Sequence, residues 1–168
     1  MHTVIYALVT VPDQVEDSED EAFKQANLVF DQLVGVGMYN DVVFHYYDTF
    51  ESNTSAVSGS ARWGELPAVS PIDSEKGARL LYNGWKATLD SFENTLSDVR
   101  KQLDAFSDEE IMADKNYVRF NMRSLGEYEG PDIKLYSGDI GSIRCRKDLD
   151  YVLSETENTW IVPADVHY

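Results

Sequence analysis

Between Ser74 and Phe106 the apolar residues fall at Ala78, Leu81, Trp85, Leu89, Phe92, Leu96, Val99, Leu103 and Phe106. Steps of three and four predict one helix carrying a single apolar stripe. Lys86, Asp90, Glu93, Asn94, Ser97, Asp98, Arg100, Lys101 and Asp104 lie between them and form a polar face. At ~1.5 Å per residue such a helix is roughly 50 Å long, wider than a small domain needs. The stripe must therefore meet something long: a second helix, a sheet with an overhang, or another subunit. Gly84 lies mid-helix, where glycine costs ~1 kcal/mol relative to alanine, and it marks a close backbone approach near Trp85.

The rest of the chain fits around this helix. Thr3 to Val11 is nearly continuous in apolar character, as expected of a strand covered on both faces. Acidic residues from Glu16 to Glu21 lead into an amphipathic helix through Ala22, Phe23, Ala26, Val29, Phe30 and Leu33, closed by Gly35 and Gly37. Val42 to Phe50 alternates as a strand, and a weak strand through Val57, Gly59, Ala61 and Trp63 is expected to pair back onto it. Asp73 or Ser74 caps the long helix. Ser107 and Glu110 have capping-box spacing, opening a second helix with Ile111, Val118, Met122 and Leu125 on one stripe. That helix is the natural intrachain partner of the long one, which would bury Leu96.

Ile133 to Tyr136 and Ile143 to Arg146 flank a turn and read as a hairpin. A short helix follows from Lys147 to Ser154, and Trp160 to Tyr168 closes the chain as a strand broken at Pro163. The expected fold is α+β: one domain over residues 1–168, with a mixed or antiparallel sheet of about four to six strands and a long-helix αα-hairpin packed on it.

Length and composition suit a packed core, with 168 residues of which 43% are hydrophobic. Thirty acidic against fourteen basic residues give a formal charge of −16, spread along every segment. That surface suits a high-salt cytoplasm, where screening removes self-repulsion, and it argues against general nucleic-acid binding. One cysteine excludes an intrachain disulfide. The start lacks a basic leader and its apolar run is too short to span a bilayer, so a cytoplasmic chain without membrane insertion is expected.

The run ARWGELPAVSPIDSEKG, the segment SDEEIM and the ending WIVPADVHY resemble a group of uncharacterised acidic proteins of haloarchaea and their viruses. The resemblance covers most of the chain and supports the high-salt reading. It implies no activity.

Phosphate-binding loops, dinucleotide turns, HExxH, CxxC and GxSxG are all absent. His2, His45 and His167 fall on expected strands and would converge, with Asp48 or Asp165, if those strands share a sheet. Their spacing is not a ligand motif, so neither metal nor cofactor is assigned. Strand alternation puts Cys145 with Ile143 and predicts a buried, inert thiol. It puts Lys134, Tyr136, Arg144 and Arg146 on the opposite face, the densest basic spot, suited to a phosphate, a carboxylate or an acidic peptide. Arg62 and Trp63, with His45, Tyr46 and Tyr47 across the expected hairpin, form an aromatic cluster able to stack a planar ligand.

Two functions remain in view. The first is a non-catalytic interaction or accessory module, with a protein partner or second copy held through the long helix. The second is a small enzyme or ligand-binding protein, its pocket near His45, Tyr47, Arg62, Trp63 and Arg144.

Overall fold

The computed structural model describes residues 1–36, 42–50, 58–113, 117–127, 132–154 and 158–168. Two nine-residue strands, β1 (His2–Thr10) and β6 (Thr159–His167), form its antiparallel centre. Along the outer side of β6 lie β2 (Tyr46–Thr49) and β3 (Ser70–Pro71). On the other side β4 (Leu135–Ser137) runs parallel to β1, and β5 (Gly141–Ser142) pairs antiparallel with β4. The sheet is mixed, in the order β2-β6-β1-β4-β5 with β3 also on β6, and the α+β fold expected from the sequence is the one formed.

Both faces of the sheet are covered, which explains the unbroken apolar run of β1. On one face α1 (Ser18–Leu33) lays Ala22, Ala26, Val29 and Phe30 against Ile5, Ala7 and Val9 of β1 and Val162, Ala164 and Val166 of β6. Asp17 caps it, accepting from the Asp20 N–H at 3.1 Å. On the other face α3 (Glu75–Ala105) and α6 (Arg146–Ser154) bring Leu80, Leu149 and Val152 onto Tyr6, Leu8, Leu135 and Ile161.

Pro163 does not break β6. It pairs with Tyr6, whose N–H points away to the Lys134 carbonyl at 2.7 Å, so this pair exchanges no hydrogen bonds. The ring nitrogen of Pro163 faces the gap between β2, which ends opposite Ala164, and β3, which begins opposite Ile161. The missing donor costs no ladder bond there.

The long helix is present, capped by Ser74, whose Oγ accepts from the Gly77 N–H at 3.0 Å. Its buried line differs from the expected stripe. Gly77, Leu80, Gly84 and Thr88 face the sheet, whereas Ala78 and Leu89 are exposed and Leu81 and Trp85 half-buried. Small residues permit the closest approach, so the contact line runs one residue off the line of large apolar ones. A Cβ on Gly77 would fall 2.0 Å from the Pro71 carbonyl oxygen.

Beyond the sheet, α3 pairs with α5 (Val118–Glu127), which follows the single turn-and-a-half of α4 (Asp108–Met112). Ser107 and Glu110 form the expected capping box. Asn121 Nδ2 donates to Gln102 Oε1 at 3.0 Å across the pair. Leu96 is half-buried rather than buried, and Val99 holds the enclosed position. Of the expected second stripe, Val118 is buried, Ile111 and Leu125 are half-buried and Met122 is exposed.

The expected return strand through Trp63 is corrected. Ser60–Trp63 is one helical turn, α2, entered through Gly59 at φ +54°. Val57 lies outside the described residues. The pairing partner of β2 is β6. Among the described residues no helix is long and apolar enough to cross a membrane.

Candidate functional site

Strands β1, β6 and β2 are neighbours, and His2, His167 and His45, the last standing just before β2, bring all three rings together at one end of the sheet. His2 is the register partner of His167, which is also the partner of Tyr46. The His2 and His167 ring centres lie 5.0 Å apart, those of His45 and His167 5.3 Å, and Tyr46 stacks on His167 at 5.0 Å. His45 Nδ1 and His167 Nδ1 are 3.1 Å apart, so one carries the proton and the other accepts it.

Asp165 is fully buried beneath this cluster. Its Oδ1 lies 3.1 Å from His2 Nδ1, and its Oδ2 accepts the Gly59 N–H at 2.9 Å. Asp48, the register partner of Asp165, accepts the Ser58 hydroxyl. A carboxylate on Nδ1 fixes the His2 tautomer, leaving Nε2 toward the Tyr46 hydroxyl at 3.3 Å. Burial pushes His167 below the ordinary histidine value, reinforced by the Met1 amino group, His2 and His45 and opposed by Asp165. Among the described residues no group of three or more His, Cys, Asp or Glu is arranged to hold a metal ion.

Further along the same face of β1 a cleft of about 320 Å³ opens between α2 and α3, floored by Val4 and Tyr6. Trp63 and Lys134, both sequence candidates, line it together. The Lys134 Nζ donates to Thr3 Oγ1 at 2.7 Å. Burial draws this amine below the usual lysine range, against the pull of Asp132.

Arg144 and Arg146 lie elsewhere. They line a groove of about 440 Å³ with Trp85, Leu89, Phe92 and Leu125, between α3, the end of α5 and the start of α6. Strand β5 is only two residues long, so the chain leaves the sheet at Ile143 and the expected alternation through Arg146 never forms. Cys145 is therefore exposed in the groove instead of buried. The Arg144 and Cys145 N–H groups both donate to Asp148 Oδ2, at 3.1 and 3.2 Å, and fix the turn into α6. Desolvation raises the Asp148 carboxyl, but bonds from the Cys145 thiol and these two N–H groups, with the Arg144 charge, hold it low. Arg144 Nε donates to Ser142 Oγ at 2.8 Å and Arg146 Nε to Asp150 Oδ1 at 2.7 Å.

The remaining candidates separate. Tyr47 points to the α1 face, where it touches Phe30 and donates to Asp31 Oδ1 at 2.9 Å. Burial and that bond push its hydroxyl up to about 12. Tyr136 is buried on the same face against Phe44. Arg62 is exposed on α2, and His45 is exposed at the β2 edge. Strands β2 and β5 are opposite edges, four strand spacings or about 19 Å apart, so Arg144 shares no pocket with His45.

A further cleft of about 550 Å³, which sequence reasoning missed, lies beyond the carboxyl ends of the parallel strands β1 and β4. Glu21 and Asp139 line it, together with Gln25, Gln32 and Tyr151. No local motif marks it, because α1, β4 and α6 assemble it from distant segments. By contrast, no acidic residue lines either the Lys134 cleft or the Arg144–Arg146 groove among the described residues.

The chain belongs to the family described as a domain of unknown function (DUF7995), whose model matches residues 1–168. No curated protein and no solved structure matches it.

Proposed function

We propose that this chain is a non-catalytic docking module of a high-salt cytoplasm, whose α3–α5–α6 groove receives an acidic protein segment bearing large apolar side chains. The observation that carries this reading is a groove with Trp85, Leu89, Phe92 and Leu125 inside and two arginines beside it, on a chain of formal charge −16. None of the described residues lining the groove is acidic, and its two arginines, Arg146 bonded to Asp150 and Arg144 beside Asp148, form a cationic spot complementary to an acidic partner. At molar salt the Debye length is ~3 Å, so the apolar wall supplies affinity and short Arg–carboxylate bonds set orientation. The same acidic surface argues against general nucleic-acid binding.

The probe is a short fluorescent peptide rich in Asp and Glu with Phe and Leu at helical spacing, titrated at molar KCl. Binding should be saturable, lost in the Arg144→Gln/Arg146→Gln double variant, and absent for a Lys-substituted peptide. No saturable binding would overturn the reading. So would concentration-dependent self-association abolished by the same double variant, which would make a second copy the occupant.

A further inference from the structure

We infer that the cleft between α2, α3 and β1 is a binding site for a small planar aromatic carboxylate. Its walls are apolar: Val4 and Tyr6 on the floor, Leu66 and Ala87 at the sides, and the indole of Trp63, 42% exposed, at the mouth. The polar groups are few and gathered. Among the described lining residues the charge is that of Lys134, held by its 2.7 Å bond to Thr3 Oγ1, and Asn83 adds an amide.

An apolar hollow with a small number of fixed polar groups is the usual form of a small-molecule site. The lining selects sign as well as shape. Thirty acidic residues decorate this chain, yet none of the described residues lining this cleft is acidic, Asp132 reaching Lys134 only through its charge. A carboxylate entering beside the half-buried lysine makes a charge-assisted hydrogen bond in a medium drier than bulk water. The attached ring then lies against Trp63 in offset or edge contact, as aromatic pairs prefer. Acetate lacks the ring and benzamide lacks the charge, so neither satisfies both halves of the site. Bound carboxylate favours the protonated amine, which Lys134 resists in its absence.

The test titrates the full chain with benzoate, and separately with benzamide and acetate, following the Asn83 and Ala87 backbone amides by NMR in every variant, with the Trp63 indole N–H as a second reporter where Trp63 is kept. Benzoate should saturate, with the two controls at least about tenfold weaker. Its affinity should fall as pH rises through a lysine pKa lower than the ordinary one. Lys134→Met and Trp63→Leu should each abolish binding while retaining the wild-type melting temperature, and Arg144→Gln should leave it intact. Non-saturable benzoate, equal binding of benzamide, or retention in folded Trp63→Leu would overturn the inference. Loss in Arg144→Gln alone would do the same, by moving the ligand to the docking groove.

Discussion

A Cβ placed on Gly84 would sit 2.8 Å from Cδ2 of Tyr6, and at the same distance from Cδ2 of Leu135. The backbone of α3 thus rides directly on the β1–β4 pair at the middle of the sheet. Gly84→Ala gains about 1 kcal/mol of helix propensity. It also overpacks a site where the Tyr6 ring is buried, at a cost of about 1–3 kcal/mol. The expected net effect is a loss of stability of up to about 2 kcal/mol by urea denaturation, with Gly84→Val costing more. A stabilised Gly84→Val variant would remove the close approach from the account.

The second half of α3 should respond most at Val99, which is 5% exposed while Leu96 is only half-buried. Val99→Ala deletes two buried carbons and should cost about 2 kcal/mol, the cavity included. Leu96→Ala should cost less than the roughly 2–5 kcal/mol of a fully buried leucine. Equal losses at the two positions, or the reverse order, would show that the arm packs differently.

These two cases mark what the sequence made legible. The helix from Glu75 to Ala105, a cap at Asp73 or Ser74 and the significance of Gly84 follow from spacing and residue chemistry, and the structure selects Ser74 as the cap. The face it presents does not, because large apolar residues dominate a pattern while Gly77, Gly84 and Thr88 make the contact. The histidine convergence was legible as a conditional, since it needed only β1, β2 and β6 to share a sheet. The groove was not. Strand alternation assigns Arg144 and Arg146 to a strand face, and nothing local reveals that Asp148 draws both the Arg144 and Cys145 N–H groups into a helix start.

Acid should loosen the sheet edge. His167 has a folded-state pKa held below its ordinary value, first by burial and then by the Met1 amino group, His2 and His45, with Asp165 opposing. The unfolded chain therefore binds this proton more readily than the folded one. Stability is fully present above the ordinary histidine value of about 6.5 and is lost as pH falls through the lower folded value. His167→Gln should flatten the melting temperature in that window. A wild-type melting temperature that rises on acidification through it would contradict the sign.

Cys145 should react in the native state. Its exposure predicts stoichiometric alkylation by iodoacetamide without denaturant, slowed little relative to the unfolded chain. Because Cys145 lines the groove with Trp85 and Leu125, a bulky maleimide there should also block docking of the acidic peptide. Protection of the thiol until unfolding would return it to the core.

The central claim, that the groove beside Arg144 and Arg146 is the docking surface, is tested most directly by amide and indole NMR shifts during titration with the acidic Phe/Leu peptide at molar KCl. The account predicts saturable shifts at the Trp85 indole N–H and the Leu125, Gly126 and Cys145 amides, with the His45–Tyr46 edge unmoved. Shifts centred on that edge, or none at the groove at saturating peptide, would contradict it.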